Sequence, residues 1–377
     1  MIKYGRLLTS SFLLLCLIVN INLSAQQNDS FEGRKDVTGE NDQYLDKQAE
    51  IFLDTIQSIL DLNPPSVNEN LERGFARLLM DAVFHEENAA LRKPSQKFFH
   101  SRINKIIEEL ENTKVEDGAK IWKLYDMGFI VRTKSVTLAF DFTSGITSGS
   151  REFAMGMDEI NRITKNCDAL LITHKHKENG EKRIAETFIK NDLPVFAPFD
   201  VWKNDPMHSF IVHPNRIAHK SEQLIVNGKS IDMVTYPGHQ MSGTECNVYV
   251  IRTPEGITIS HLGDQVNGGD YMVDFDWIDD VKNNHKIDIM MPNACTVNIS
   301  RILDGFNPKL VLPSHSLEHS NWTELSCWAD KKYLEMNYAE IRESKYSVVE
   351  MLWGESFHYT PDNFNSKRSF LELSNWD

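Results

Sequence analysis

A small helical front followed by a layered α/β body is the fold class this sequence predicts. Three observations lead there. Residues 41–118 carry apolar side chains at helical spacing. Residues 119–360 carry short apolar runs bounded by turn residues. From residue 169 onward those runs alternate with helical or loop segments, the order expected of stacked α and β layers. The chain has 377 residues, room for two domains at roughly 150 residues each. At 41% hydrophobic and 25% charged residues it has the make-up of a folded globular protein.

Charge narrows the classes of partner. The formal net charge is -14, from 40 Lys+Arg against 54 Asp+Glu. Sequence-independent nucleic-acid binding needs a basic footprint, and docking on an anionic membrane surface needs the same. A small-molecule substrate is expected instead, and the sequence does not set the oligomeric state.

The elements follow in chain order. Residues 1–25 read as a secretory signal peptide: Lys3 and Arg6 precede a mostly apolar run from Leu7 to Leu23, and Ser24-Ala25 supplies small residues for cleavage. Its removal leaves 38 basic against 54 acidic residues, so the exported, periplasmic or extracellular chain carries -16. No other segment is long and apolar enough to span a bilayer. Residues 26–40 are a polar, flexible leader. In the helical region 41–118, Leu45, Ala49, Phe52, Ile56 and Leu60 share one face until Asn63-Pro64-Pro65 ends the run. Ser66 and Glu69 form a capping box for a second helix with Leu71, Phe75, Leu78, Leu79 and Val83. Pro94-Ser95 opens a third with Phe99, Ile103, Ile106, Ile107 and Leu110. His85 and His100 lie among them as structural residues.

In the body, Ile121 to Arg132 reads as one strand-like run and Ser135 to Phe140 as the next. Further strands are Ala169–Thr173, Pro194–Ala197, Ile231–Tyr236, Asn247–Arg252, Ile257–Ser260, Ile287–Met291 and Leu310–Leu312. Helices are expected at Gly180–Lys190 and Ser320–Arg342, and residues 361–377 form a tail. Cys167, Cys246, Cys295 and Cys327 show no CxxC spacing and predict no disulfide pairing.

Chemistry collects at strand ends. Asp168–Thr173 leads into His174 and His176, Ile231–Gly238 into His239, Ile257–Gly263 into Asp264, and Lys309–Ser314 into His315. Imidazole and carboxylate are the donors that Zn²⁺, Mn²⁺ and Fe prefer, and a rigid sheet fixes where each donor starts. Singly, a His-x-His or a Pro-Gly-His is weak; their conjunction carries the reading. His208, His213, His219, His285 and His358 lie in polar stretches with no strand to aim them. His261 and His319 flank ligand loops and receive no role. Trp202, Trp277 and Trp322 are read as packing residues.

Order and context resemble the metallo-β-lactamase-fold hydrolases, in the branch that includes ascorbate-6-phosphate lactonase-like enzymes. The resemblance covers about residues 119–360. It rests on Tyr125-Asp-Met-Gly-Phe-Ile-Val-Arg132 with Leu138-Ala-Phe-Asp141, and on Thr173-His-Lys-His176, Tyr236-Pro-Gly-His239, His261-Leu-Gly-Asp264 and Pro308-Lys-Leu-Val-Leu-Pro-Ser-His315. It implies an αββα sandwich with a metal site at one edge of two sheets, and Asp141 as a buttress behind it. It also implies His174, His176 and His239 on one ion, with Asp264 completing the site and His315 ligating or contacting substrate. The family's His-x-His-x-Asp-His motif reads here His174-Lys-His176-Lys-Glu178-Asn179. A neutral amide donates weakly and Glu178 reaches one methylene farther, so one tightly bound divalent ion is expected, Zn first and then Mn or Fe. The implied reaction is hydrolysis of an ester, lactone, amide or phosphoester by an ion-activated water, with Asp264 or Glu178 handling its proton. The alternative is a degenerate member that binds a ligand or partner without catalysis.

Overall fold

The computed structural model describes residues 38–67, 71–84, 89–145, 153–240, 243–265, 275–294, 296, 298–315, 341 and 343–364. The expected signal peptide, the helix Ser320–Arg342 apart from Ile341, His85, Glu69 of the capping box, His319, Trp322, Cys295, Cys327 and most of the tail lie outside them. Contacts divide the chain into Met1–Lys47, described only for the opening of its helix, and Gln48–Asp377, which holds everything that follows.

Three helices come first. α1 spans Thr38–Leu62, starting inside the expected leader and ending ahead of Pro64-Pro65. α2 spans Leu71–Phe84. α3 spans Lys93–Asn112, with Pro94 in its first turn, where a missing N–H costs nothing. Phe98, Phe99, Arg102, Ile103, Ile106, Ile107 and Leu110 form the buried stripe of α3, three and four residues apart.

Two sheets follow. The first has the order β13-β1-β2-β3-β4-β5, from Ser356–Tyr359, Ala119–Lys123, Phe129–Arg132, Thr137–Phe140, Ala169–Leu171 and Val195–Phe196. The second runs β12-β11-β10-β9-β8-β7-β6, from Ser347–Val348, Leu310–Val311, Ile289–Met291, Thr258–His261, Thr244–Arg252, Lys229–Gln240 and Ser221–Val226. The helices between strands are α4 (Met157–Thr164), α5 (Lys182–Lys190), α6 (Trp277–Asn284) and α7 (Ile299–Phe306).

Strand alternation sorts the side chains into three cores. Ile121, Phe129, Val131, Leu138, Phe140 and Leu171 of the first sheet meet Met233, Tyr249, Ile251, Ile259 and Met291 of the second, and this is the filling between the sheets. Trp122, Ile130, Ala139 and Leu170 face the other way, onto α3, α4 and α5 together with residues of α1 and α2. Val234, Tyr236, Val248, Val250 and Met290 face α6 and α7. The molecule is therefore a mixed α/β sandwich with the layers αββα, and the helical front is part of its first helix layer.

Three sequence expectations are corrected. The run Ile121–Arg132 is two antiparallel strands, because Leu124–Gly128 turns back: Leu124 N–H donates to Gly128 O at 2.8 Å and Gly128 N–H to Tyr125 O at 2.7 Å. The strand read as Ile231–Tyr236 continues to Gln240, so His239 is within β7, opposite Glu245. Helices α4, α6 and α7 and strands β6, β12 and β13 are short elements that periodicity did not pick out.

Candidate metal centre

The strands place their carboxyl ends at one edge of the sandwich. β3 and β4 pair in parallel, as do β9, β10 and β11, while β7 runs antiparallel to β8 and so in the sense of β9. Asp141, His174, Asp264 and His315 leave from those ends.

Thr173 is the hinge of the site. Its carbonyl accepts from Asn247 N–H at 2.8 Å, which ties β4 of one sheet to β8 of the other. Its N–H and Oγ1 donate to the two oxygens of buried Asp141, each at 2.7 Å. Since the hydroxyl proton goes to Asp141, Oγ1 accepts from His174 Nδ1 at 3.1 Å. That contact engages Nδ1 and leaves Nε2 as the ring nitrogen turned toward Asp264. Gly263, at φ 53°, lies against Thr173, where a Cβ would collide with the side chain.

Four donors converge there. His174 Nε2 is 3.3 Å from Asp264 Oδ2, and His176 Nδ1 is 3.5 Å from Glu178 Oε1. One donor atom each from His174, His176, Glu178 and Asp264 lie within 4.8 Å of one another. Glu178 reaches the group because residues 176–180 form a tight turn, in which His176 O accepts from Asn179 N–H at 3.1 Å and Gly180 N–H at 2.8 Å. His174 and Asp264 are buried, whereas His176 and Glu178 are partly exposed and form the mouth.

His315, at φ 71°, reaches Asp264 Oδ1 with Nε2 at 3.5 Å, and its N–H points to Asp126 O at 3.4 Å. Asn293 Nδ2 donates to the same carboxylate oxygen at 3.3 Å. His239, like His315, is an expected ligand outside the group of four. Its N–H donates to Gln265 Oε1 at 3.0 Å, and its ring centre lies 5.7 Å from that of Phe275. Gly238 leaves the room that Gln265 occupies.

The charges are strongly coupled. Burial opposes ionisation of Asp264, yet His315 and His174 outweigh it and hold the carboxyl well below the usual range. Burial would lower His315, but Asp264, Asp126 and Glu178 raise it to about 10. The bond from Glu178 raises His176, and against the cost of burial the bond from His176 lowers Glu178. Asp141 is pushed up, first by burial and then by Asp264 and Asp126.

This donor set fits a divalent cation. Two imidazoles and two carboxylates are ligands of Zn²⁺, Mn²⁺ and Fe²⁺. His174 Nε2 and Asp264 Oδ2 face each other at 3.3 Å, and both atoms are donors an ion can take. Asn179 is fully buried next to them, its Nδ2 3.4 Å from His174 Nε2 and its Oδ1 without a hydrogen-bond partner.

Residues with no assigned role hold the centre in place. Lys123, buried at the end of β1, donates its Nζ to the carbonyls of Leu124 and Asp126 and lies 4.9 Å from the Phe129 ring centre. His261, the last residue of β9, stacks on Phe140 at 5.3 Å and donates Nε2–H to Met127 O at 2.9 Å. Both fasten the 124–128 turn, whose Asp126 carbonyl faces His315. The available signal was a lone lysine in the apolar run Ile121–Leu124 and a histidine closing the run Ile257–Ser260.

No family model matches the chain, and no curated protein matches it. Some solved structures are similar. Igni18, a novel metallo hydrolase from the hyperthermophilic archaeon Ignicoccus hospitalis, is 16% identical, over 64% of this chain and 99% of its own, with a TM-score of 0.47. A possible metal-dependent hydrolase from Veillonella parvula is 15% identical, over 66% and 100%, at 0.43. CmlA, a diiron beta-hydroxylase from Streptomyces venezuelae, is 14% identical, over 66% and 55%, at 0.44. Likeness at this level assigns no residue a role, and the αββα architecture rests on this chain's own strand order and cores.

Proposed function

We propose that this chain is an exported metal-dependent hydrolase of the metallo-β-lactamase kind, acting on a small molecule with an ester, lactone, amide or phosphoester bond. The observation that carries the reading is the convergence of His174, His176, Glu178 and Asp264 at the strand ends. The finer placement, near the ascorbate-6-phosphate lactonase-like enzymes, is supported by the sequence motifs that end in Asp264 and His315. Export is supported by the Lys3/Arg6 and Leu7–Leu23 pattern.

His174, His176, Glu178 and Asp264 would hold the ion, Zn²⁺ first and Mn²⁺ or Fe²⁺ next. A bound ion supplies an acidified water and an electrophile for a carbonyl or phosphoryl oxygen. Asp264, kept ionised by His315 and His174, is the anionic floor of the site. Glu178 is at the mouth with its carboxylate held toward His176, where it can take a proton from an attacking water. His315, whose Nε2 lies 3.5 Å from Asp264 Oδ1 beside the donor group, would be the proton donor toward a leaving group. His239 and Phe275 form a rim for substrate.

The test is a panel of esters, lactones, amides and phosphoesters assayed with the metal-loaded chain and its His176→Ala variant. Turnover of at least one class, lost together with the ion in the variant, is the expected result. Full activity and full metal content in His176→Ala would contradict the assignment. A second reading, a ligand-binding member without catalysis, is favoured by the amide of Asn179 at a place where the family motif has an imidazole. Metal binding with no turnover of any class would select it.

A further inference from the structure

A second pair of imidazoles is set as metal donors in the segment between β5 and β6. His208 sits on the 3-10 turn Pro206–Phe210, which Asp205 caps by accepting from Met207 N–H at 2.9 Å. His213 follows Val212, which is bonded to the end of β5: Val212 N–H donates to Val195 O at 2.8 Å and Ala197 N–H to Val212 O at 3.1 Å. The backbone around both rings is therefore fixed.

Each ring commits one nitrogen to a carbonyl. His208 Nε2 bonds Phe199 O at 2.9 Å, and His213 Nδ1 bonds Ala197 O at 3.0 Å. A carbonyl only accepts, so these nitrogens carry the protons, and His208 Nδ1 and His213 Nε2 keep their lone pairs. Metal-binding histidines are oriented in the same way, by a carbonyl on the far nitrogen. His213 Nε2 is buried and has no hydrogen-bond partner. An acceptor buried in that state lacks the partner that a cation would supply.

Spacing agrees. A ligating nitrogen lies about 2 Å from its ion, which puts rings on neighbouring coordination positions roughly 4–5 Å apart between centres. The His208 and His213 rings are 4.3 Å apart and inclined by 30°, with Phe199 edge-on to both at 4.9 and 5.4 Å. The corresponding separation for His174 and His176 is 4.7 Å.

We propose that His208 and His213 form a second cation site, for Zn²⁺, Cu²⁺ or Ni²⁺, with water completing the coordination. These are the divalent ions that imidazole suits best. No further acidic or thiol donor among the described residues closes into a three-residue group with the pair. Two protein donors bind more weakly than four, so the site fills when free ion is supplied and empties on exhaustive dialysis. Asp200, in the same segment, pairs through Oδ2 with Nζ of Lys175, the residue between His174 and His176, at 3.1 Å.

The proposal does not depend on hydrolase activity. Its test is equilibrium dialysis against Zn²⁺ of the full chain carrying His174→Ala and His176→Ala, with Cu²⁺ electron paramagnetic resonance as the second readout. One ion per chain and a two-nitrogen Cu²⁺ spectrum are expected, and both are lost on adding His213→Ala or, separately, His208→Ala. Thermal melts without ion check that each variant folds, and the half-exposed His208 decides if the His213 variant does not. No ion in the His174/His176 variant, or an ion that survives both further substitutions, would overturn the proposal. Either result leaves the dependence of the main ion on His174 untouched, so the two readings fail separately.

Discussion

At the scale of single residues, Thr173 and His261 do the most to organise the centre without being donors themselves. Thr173 transmits the placement of Asp141 to His174 through one hydroxyl that both donates and accepts. His261 supplies a prediction about pH. Burial pushes its pKa down to about 4, and Lys123 adds to the effect, while the Met127 carbonyl only partly offsets it. The unfolded chain takes up this proton near pH 6.5 and the folded chain near 4, so between those values the unfolded state binds more protons. Stability attributable to His261 is thus complete above pH 6.5 and is lost as pH falls toward 4, by about 3 kcal/mol in total. Denaturant melts of the chain and of His261→Gln at pH 7 and pH 4.5 check this. The variant should be less stable at pH 7 and lose less on acidification; equal losses would place the acid sensitivity elsewhere.

At the scale of elements, the strands that deliver donors were legible because each is a short apolar run ending at a histidine or aspartate. Ala169–Thr173 before His174 and Ile257–Gly263 before Asp264 are the clearest cases. Turns were less legible. Glu178 enters the donor group only because residues 176–180 fold back on His176 O, a backbone event with no apolar pattern to announce it. His239, read as a ligand from Pro237-Gly238, lies inside β7 with its backbone N–H bonded to Gln265, a contact 26 residues away in sequence that no local pattern announces. The run Ile121–Arg132 hid a turn because its residues are buried on both strands and through the bend. Long-range polar contacts were invisible for the same reason. Arg73 of α2 forms two bonds of 2.7 Å with Glu355, beside β13, and donates also to Asn63 O and Glu350 O. Both side chains are nearly inaccessible, at 9% and 4%. Removing one partner of such a pair strands the other charge, so Glu355→Ala should cost about 3–5 kcal/mol in a denaturant titration. A cost under 1 kcal/mol would show that water reaches Arg73.

At the scale of the whole molecule, the helical front is a structural layer. Its apolar stripes were plain in the sequence; their destination was not, because an amphipathic helix does not say which surface it covers. Phe98, Phe99, Ile103 and Ile106 of α3 share one core with Trp122, Ile130 and Leu170 of the first sheet. Ile106→Ala should therefore destabilise the whole chain by about 2–5 kcal/mol in one cooperative transition. Two separate transitions, with only the first shifted, would mean that front and body fold independently.

The central claim is that this sandwich exists to hold a divalent ion between two imidazoles and two carboxylates. Elemental analysis of the purified, dialysed chain beside its His174→Ala variant tests it most directly. About one equivalent of Zn, Mn or Fe in the unaltered chain, lost in the variant, is the predicted result. Metal content unchanged by His174→Ala, or no metal after reconstitution with all three ions, would contradict it.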